Sequence, residues 1–320
     1  MRYLLSLCFL SVFLYSQELE TAIEEVNILQ KEESAGSSDY NRVRAEFTLN
    51  FETYENLFAK LIIDNENSYD ITEDKNENET NIYRGYIKYI DQKNLISIGK
   101  QRIPFGVGRI WNPTDIFNPI DATSIEPDKR KGTESIRYEY AISTLSNMDA
   151  TISEDKYALR LKGFLSFADM ALMALKDKRN DTETLGYEYS GELFETGIEL
   201  RSEGGYRIAK EGKDHFDLIA GAEYSFENSL TLLGEYRHNS LLNSDYLGTT
   251  ISYELTPLLM GSFLAIRNFD DKSSFYGLTF DYSLADDITL DIGSLIYSGD
   301  ELSEYGSLNN SCFVKLFIHF

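Results

Sequence analysis

Apolar and polar residues alternate along most of this chain with a period of two. In residues 42–51 every second side chain is apolar, and the same alternation returns in 216–226 and in the last segment, 311–320. A period of two puts successive side chains on opposite faces of a β-strand, so each such stretch predicts a strand with one apolar face. The chain is therefore predicted to be all-β.

The alternating stretches are about ten residues long and follow one another to the end of the chain. Counted together they predict 18 strands, including a weakly patterned first strand at 21–29 that is needed to make the number even. An even number brings both chain ends to the same side of a closed sheet. A barrel of 16 strands is the alternative if one weak pair within 165–190 does not form.

The polar connections between these stretches alternate between short and long. Short turns are predicted at 91–94, 227–229 and 285–287, and long polar loops at 64–80 and 202–213. Tight periplasmic turns at one end and long extracellular loops at the other are typical of a transmembrane antiparallel β-barrel. A soluble β-sandwich is the alternative, but it predicts shorter strands and no such asymmetry between the two ends.

Both chain ends agree with a barrel in a bacterial outer membrane. Residues 1–16 combine Arg2, an apolar run from Leu4 to Tyr15 that is too short to span a membrane, and the small Ser16, which predicts a cleaved secretory signal peptide. The final strand is similar to the C-terminal signal of outer-membrane barrels, because its alternating apolar residues end on Phe320. We therefore expect the outer membrane of a Gram-negative-type bacterium, with its lipids and lipopolysaccharide as partners.

The composition narrows the function classes. The 320 residues carry 53 acidic and 30 basic side chains, a formal net charge of −23, which disfavours nucleic acid because phosphate contacts need a basic surface. Of the two cysteines, Cys8 lies in the predicted signal peptide and leaves Cys312 without a disulfide partner. No motif for a metal, a nucleotide or a catalytic nucleophile is present, so we expect no cofactor, no metal and no enzyme activity.

Inward-facing positions of the predicted strands carry charges that differ between the two halves of the chain. A barrel of this size is expected to enclose an aqueous lumen, where these charges would meet solutes. The first half supplies a basic ladder of Arg42, Arg44, Arg84, Lys88, Arg137, Arg160 and Lys162. The second half supplies the acids Glu195, Glu199, Asp217, Glu223, Glu235 and Asp291. Such opposed charges would favour polar or charged solutes, and chance sorting of polar inward residues is the alternative.

One stretch, residues 99–119, does not fit the strand pattern. Its sequence is GKQRIPFGVGRIWNPTDIFNP, which holds the single tryptophan of the chain among glycine, proline, asparagine and aspartate. This composition excludes a helix interior or a central strand, yet its aromatic residues would be unusual on a free loop. Together with 120–133 it is the longest predicted connection, and we expect residues 103–133 to fold into the lumen as a constriction loop.

The polar and aromatic residues of this loop form the candidate site. We expect the constriction to be lined by Arg102, Arg109, Trp111, Asn112, Asp115, Asn118 and Asp121. An arginine paired with Asp115 or Asp121 would fix the loop, while Trp111 would pack on the wall or offer a stacking surface. The alternative is that these residues anchor the loop without contacting a solute. Lys100 and Arg102 have outward strand parity, so they face the outer headgroups unless a bulge turns them inward.

The same stretch resembles a motif of a family of bacterial outer-membrane porin-like proteins. In that family a strand ending in G-[KR]-Q runs into Gly-rich turns and then into N-P-T-D-[IL]-[FL]-N-P, which residues 99–119 match closely. The rest of the chain is similar only in its regular succession of strands and connections. The resemblance implies an outer-membrane barrel that acts as a channel and implies no particular substrate. A more distant similarity is to eighteen-stranded barrels that export or anchor exopolysaccharide.

The sequence therefore predicts an outer-membrane porin for the passive diffusion of small polar or charged solutes. The loop at 103–133 would select solutes by size, and the basic ladder would select them by charge. The alternative is a surface scaffold, or an exopolysaccharide-associated barrel, whose lumen is plugged.

Overall fold

The computed structural model describes residues 18–33, 36–51 and 56–320. The predicted signal peptide, residues 1–16, lies outside these ranges. Within them the regular structure consists of 18 β-strands without a helix. The same part of the chain accordingly has no helix that is long and apolar enough to cross a membrane.

The strands follow one another with few long connections. The first nine are β1 (Glu18–Glu32), β2 (Gly36–Asn50), β3 (Leu57–Asp70), β4 (Lys75–Ile90), β5 (Asn94–Gln101), β6 (Thr133–Ser143), β7 (Ser146–Ser153), β8 (Lys156–Leu165) and β9 (Ala168–Asp177). The last nine are β10 (Thr182–Glu192), β11 (Glu199–Ala209), β12 (His215–Ser225), β13 (Leu230–Asn239), β14 (Ser244–Thr256), β15 (Leu259–Asn268), β16 (Ser274–Ala285), β17 (Ile288–Ser298) and β18 (Ser311–His319).

Neighbouring strands pair antiparallel, in sequence order, around one closed sheet. β1 pairs with β2 on one side and with β18 on the other, which closes the sheet into a barrel. In the closing pair, Glu24 lies opposite His319 and Glu32 lies opposite Ser311. Closure leaves no unpaired strand edge, which would attract other chains in water and be costly in lipid. The predicted 18-stranded antiparallel barrel is confirmed, together with its weakly patterned first strand.

The two faces of the barrel wall differ in chemistry, as the alternating pattern predicts. The outward side chains of Ile96 and Ile98 are 38% and 51% exposed, whereas Ser97 between them is 1% exposed. The inward face buries charged side chains such as those of Asp64 and Glu203. An apolar exterior around a polar interior is the arrangement that a barrel needs in a lipid bilayer.

Aromatic side chains gather near the end of the barrel where the chain terminates. This end also carries the connections 166–167, 193–198 and 226–229. The exposed aromatic residues near it are Phe164, Phe167, Phe194, Phe226, Tyr282 and Phe320. Aromatic girdles of this kind mark the membrane–water boundary of transmembrane barrels. This end therefore has the surface expected at one membrane interface.

The polar stretch 64–80 is not a loop, and the prediction of one is wrong. Strands β3 and β4 continue through it, with Glu66 opposite Glu79, and are joined by a turn at 71–74. A strand pair with water on both faces needs no apolar side, so the alternation that reveals a strand is absent. The connections at this end are therefore mostly shorter than expected.

Strand β11 begins later than the sequence pattern indicates. Residues 193–198 form a connection in which Phe194 and Glu195 have φ angles of 45° and 59°, and the strand starts at Glu199. The predicted inward Glu195 therefore lies in a turn. β11 also continues to Ala209, so the prediction of a long loop at 202–213 is wrong over most of its length. Two glycines at 204 and 205 lie within β11, and glycines weaken the alternation by which a strand is found.

Candidate functional site

The longest connection of the described chain, residues 102–132, joins β5 to β6 and is called the long segment below. Asn118 ties its two ends together. The Asn118 Oδ1 atom accepts a hydrogen bond from the Ile103 amide at 2.8 Å, while its Nδ2 group donates to the Lys131 carbonyl and to Thr133 Oγ1. The segment has no regular structure, so side-chain hydrogen bonds such as these help to hold its shape.

Asp115 closes the turn before Asn118. Its Oδ1 atom accepts hydrogen bonds from the amides of Phe117 at 3.0 Å and Asn118 at 2.8 Å, and its Oδ2 atom lies 3.8 Å from a guanidinium nitrogen of Arg130. Burial raises the pKa of Asp115 to about 6, although the two amides and Arg130 act in the opposite direction. This carboxyl group therefore changes its charge at mildly acidic pH.

A carboxylate on the inward face of β11 binds the middle of the long segment. Glu203 is fully buried and accepts hydrogen bonds from the amides of Val107, Gly108 and Thr114, at 3.0 Å from Gly108 and 3.1 Å from Thr114. It also accepts one from the Thr114 hydroxyl at 3.0 Å. A carboxylate can accept several hydrogen bonds at once, so Glu203 satisfies backbone donors that would otherwise be buried without partners.

Two further wall carboxylates bind the segment in the same way. Glu235 of β13 accepts hydrogen bonds from three consecutive amides, those of Arg109 at 2.9 Å, Ile110 at 3.2 Å and Trp111 at 2.9 Å. Glu188 of β10 accepts one from the Gly106 amide at 2.7 Å and also binds the guanidinium group of Arg160. Residues 106–111 therefore follow the inner wall from β10 to β13.

Glycine is required at two positions of this stretch. A Cβ atom added to Gly108 would lie 1.9 Å from the Trp111 carbonyl oxygen, and Gly106 has a φ angle of +86°. The side chain of Asn112 fills the adjacent space and donates a hydrogen bond to the Gly108 carbonyl at 3.0 Å. The Gly-rich turns let the backbone approach the wall carboxylates closely.

Inward cations bind carbonyl oxygens of the segment and complement the carboxylates that bind its amides. The pairs are Arg207 with the Pro113 carbonyl at 2.7 Å, Lys156 with the Ile116 carbonyl at 2.5 Å and Arg160 with the Pro104 carbonyl at 3.3 Å. Backbone groups of an irregular segment inside a barrel need such partners, since no strand ladder supplies them.

Apolar side chains of the segment pack against two separate parts of the wall. One cluster combines Ile103, Phe105 and Phe117 with inward side chains of β8 and β9, and the two phenyl rings meet edge to face at 5.7 Å between centroids. The other combines Ile110 and Trp111 with inward side chains of β13–β18, where the Trp111 ring lies 6.0 Å from that of Tyr246.

The last third of the segment reaches a further part of the wall. Glu126 forms an ion pair with Arg42 of β2 at 2.6 Å. Lys129 binds Glu66 of β3 at 2.8 Å and donates to the Tyr40 hydroxyl at 2.7 Å. Together with the contacts above, the long segment has inward-facing partners on strands spread around the barrel, on β1–β3 and on β8–β18.

The predicted constriction residues divide into two groups in the structure. The Arg109 side chain is 57% exposed, with its Nε 3.6 Å from Glu223, and Asp121 is also exposed. Trp111, Asn112, Asp115 and Asn118 instead make the internal and wall contacts given above. The second group has the contacts expected of the anchoring alternative, and the first has side chains that a solute could reach.

Lys100 and Arg102 point in different directions. Lys100 shares the outward face of Ile98, and its ammonium group donates to the Ile82 carbonyl on β4 at 2.5 Å. Arg102 follows the end of β5 and is half-buried, close enough to Arg130 for their charges to repel. Only Arg102 therefore belongs to the long segment and its surroundings.

The seven predicted ladder residues lie at inward positions, but carboxylates balance most of their charges. The ion pairs are Arg42 with Glu24 and Glu126, Arg44 with Asp64, Arg137 with Asp149 and Glu139, Arg160 with Glu188, and Lys162 with Asp169. Arg84 and Lys88 contact the rings of Tyr83 and Phe58. The first half of the wall is thus mainly a row of ion pairs, and carboxylates balance most of the predicted basic ladder.

The second half shows the same balance with the signs exchanged. Its acids pair with cations that are absent from the predicted ladder: Asp217 with Arg237 at 2.7 Å, Glu199 and Glu223 with Arg201, and Asp291 with Lys315 at 2.6 Å. Glu188 and Glu203 were also missed. Their inward parity would have revealed them only after β10 and β11 had been placed correctly.

A cavity of about 660 Å³ lies between the long segment and the inner faces of β8–β13. Its lining combines Trp111 and Ile116 of the segment with charged wall side chains such as Asp177, Arg207 and Arg237. This space has the size and mixed polarity that suit a small polar solute. Within the described ranges, no group of three or more His, Cys, Asp or Glu side chains could hold a metal ion.

Comparison with solved structures gives matches over nearly the whole chain. OccK5 (OpdH) of Pseudomonas aeruginosa matches with a TM-score of 0.68 and 8% identity, over 96% of this chain and 98% of that chain. OccAB4 of Acinetobacter baumannii gives 0.65 and 9%, over 95% and 98%, and a triple mutant of the Rhodopseudomonas blastica porin gives 0.57 and 12%, over 95% and 100%. No protein-family model matches the chain, and no curated protein gives a significant match. At these identities the similarity is one of fold, and the fold is that of a porin-like β-barrel.

Proposed function

We propose that this protein is an outer-membrane porin through which small polar or charged solutes diffuse passively. The observation that carries the proposal is a closed barrel, apolar outside and polar inside, whose longest connection is bonded to inward side chains around the wall. The apolar exterior would contact outer-membrane lipids and lipopolysaccharide, and residues 1–16 would be the cleaved signal peptide that directs export. The porin-like fold supports the same conclusion.

In this proposal residues 103–133 narrow the lumen, and solutes pass between the segment and the remaining wall. The exposed side chains of Arg109 and Asp121 would line the path, while the buried residues of the segment keep it in place. Ion pairs along the wall provide both signs of charge to a passing solute. Such a lining favours small polar or charged solutes over apolar ones.

A surface scaffold with a plugged lumen, including an exopolysaccharide-associated barrel, is the second candidate function. The apolar packing of the segment on two parts of the wall favours it, since a packed interior conducts no water. The connection 299–310 adds Tyr305 to one of these clusters. The two functions differ in a single property, which is whether water and ions cross the barrel.

Planar-bilayer recording of the refolded protein tests the proposal. A porin should produce discrete conductance steps, and a variant lacking residues 104–131 should produce larger ones because the narrowing is removed. Circular dichroism of the same samples confirms that the β-structure has formed. Folded protein without steps would favour the scaffold, and steps of equal size in both proteins would mean that the segment does not narrow the pore.

A further inference from the structure

Three arginines with few partners meet where the long segment leaves and rejoins the wall. Arg84 faces inward from β4, Arg102 begins the long segment and Arg130 lies near its end. Tyr83 is the extra residue of a bulge in β4, because Ile62 pairs with Arg84 while the next residue, Ile63, pairs with Ile82. The bulge turns this tyrosine into the interior, where it is 6% exposed.

The three guanidinium groups are linked through Tyr83 and through one another. The Arg84 guanidinium carbon lies 5.0 Å from the centre of the Tyr83 ring, and that of Arg44 lies 3.8 Å from it. Arg130 interacts electrostatically with both Arg102 and Tyr83. Burial, and after it the charge of Arg102, lower the pKa of Arg130. Like charges are therefore held together in a site that is largely shielded from water.

The hydrogen-bonding groups of these arginines are incompletely used. The Nε atoms of Arg84, Arg102 and Arg130 are all buried without a hydrogen-bond partner. The Arg130 side chain is 10% exposed, and its ion pair is the long contact of 3.8 Å to Asp115 Oδ2, an atom that also lacks a hydrogen bond. The ion pairs of the described ranges include none for Arg84 or Arg102. A buried donor without a partner is unfavourable, so such a group indicates that something else binds there.

Other inward arginines of the barrel have close ion pairs. The Nε atoms of Arg42 and Arg160 are also unpaired, but their terminal nitrogens bind Glu24, Glu126 and Glu188. Arg44 is bound by Asp64 through Nε and a terminal nitrogen, at 2.7 and 2.8 Å, and Arg237 is bound by Asp217 in the same way, at 2.9 and 2.7 Å. The fork of a guanidinium group is matched to two oxygens of one anion. In the cluster of Arg84, Arg102 and Arg130, the described ion pairs include only the long contact of Arg130 with Asp115, and Asp128 acts on Arg130 electrostatically without forming an ion pair.

We propose that Arg84, Arg102 and Arg130 form a binding site for a small oxyanion, such as sulfate, phosphate or a carboxylate, at the junction of β4 and the long segment. The oxyanion would accept hydrogen bonds from the unpaired Nε groups and would balance the excess of positive charge. The proposal deepens the proposed function and rests on it in one respect, since the pore is what delivers the anion. It gives a porin with a strongly acidic sequence an internal cationic site that would bind anions.

Isothermal titration calorimetry of the full-length refolded protein in detergent micelles tests this site. Sulfate is the probe because its charge does not change between pH 6 and 8, and sodium chloride at equal ionic strength is the reference. Wild-type protein should bind sulfate, and Arg102→Gln and Arg130→Gln should each weaken binding about tenfold, since each removes a charge-assisted hydrogen bond. Arg130→Lys keeps the charge without the fork and should lie between these values. Titrations with phosphate and acetate then distinguish tetrahedral oxyanions from carboxylates.

Arg179→Gln is the matched control, because it also removes one positive charge but lies in the connection 178–181 with a side chain that is 78% exposed. It should bind sulfate as the wild type does. Circular dichroism and the fluorescence of Trp111 verify that each variant is folded. Absence of sulfate binding in the folded wild type, or equal binding in all variants, would overturn the site. Conductance without sulfate binding would contradict the anion site and support the porin function. Sulfate binding without conductance would contradict the porin function and support the anion site.

Discussion

Asp115 is the buried carboxyl group on which the turn at 112–118 depends. It accepts two backbone hydrogen bonds, and it lies close to Arg130 and to the negative charge of Glu203. Its oxygen atoms are therefore needed as hydrogen-bond acceptors, whereas burial disfavours its negative charge. This balance makes the residue sensitive to pH.

The stability of the protein should depend on pH through Asp115. The pKa of this group is raised from 3.8 to about 6 in the folded protein, so the folded state binds the proton more tightly than the unfolded state. The free energy of unfolding should therefore fall as pH rises from about 4 to about 6, by on the order of 3 kcal/mol. Asp115→Asn keeps an acceptor oxygen and has no proton to release, so it should remove this pH dependence.

Urea unfolding of the protein in lipid vesicles, from pH 4 to pH 8, measures the effect. Trp111 is the single tryptophan of the chain and lies in the long segment, so its fluorescence reports on this region directly. Asp121→Asn, on the exposed side of the segment, is the control and should follow the wild type. An unchanged pH dependence in Asp115→Asn would show that another group is responsible.

At the scale of strands and connections, the sequence predicts those strands in which apolar and polar residues alternate. Strands with one face toward lipid and one toward the interior have an apolar residue at every second position, and the sheet was predicted from them. Residues 64–80 and the start of β11 were not predicted correctly, because polar strands and glycines give no such signal.

The long segment was recognised as unusual from its composition, but its attachment was not predictable. Glu203 and Glu235 bind amides that lie about a hundred residues earlier in the chain, at separations of 89 to 126 residues. Nothing in the local sequence of β11 or β13 distinguishes these glutamates from other inward acids. Only the closed barrel brings them to the segment.

Glu235→Gln should loosen the long segment without unfolding the barrel. Glutamine offers one acceptor oxygen and a donor group in place of two acceptor oxygens, so it cannot serve the three amides of Arg109, Ile110 and Trp111. We expect a loss of about 2–4 kcal/mol in the local stability of the segment, because hydrogen bonds to a charged group are lost. Acrylamide should then quench Trp111 fluorescence faster, and single-channel currents should become noisier.

Glu199→Gln provides the matched control on the same wall. Glu199 pairs with Arg201, and its carboxylate accepts hydrogen bonds from Ser190 and Arg201. It should leave the quenching rate and the current noise unchanged. Equal effects of the two substitutions would mean that the segment does not depend on Glu235.

At the scale of the whole molecule, most charged side chains inside the barrel have a partner of opposite charge. The sequence carries a net charge of −23, yet most inward charges of the described chain are paired across neighbouring strands. The selectivity of such a pore depends on small local imbalances more than on the total charge. Removing one partner of a pair should therefore reveal the charge of the other.

The double variant Lys88→Gln with Arg137→Gln should make the pore more selective for cations. Arg137 binds Asp149 and Glu139, so its loss leaves these two carboxylates unbalanced inside the lumen, and neither substituted residue contacts the long segment in the structure. The reversal potential in a salt gradient measures the change. The shift should be largest at about 0.01 M salt and decrease toward 1 M, since the screening length falls from about 30 to about 3 Å.

The control double variant, Lys176→Gln with Arg179→Gln, removes the same charge from outside the lumen and should shift the reversal potential little. Equal shifts from the two double variants would mean that selectivity follows the total charge and not the charge at the inner wall.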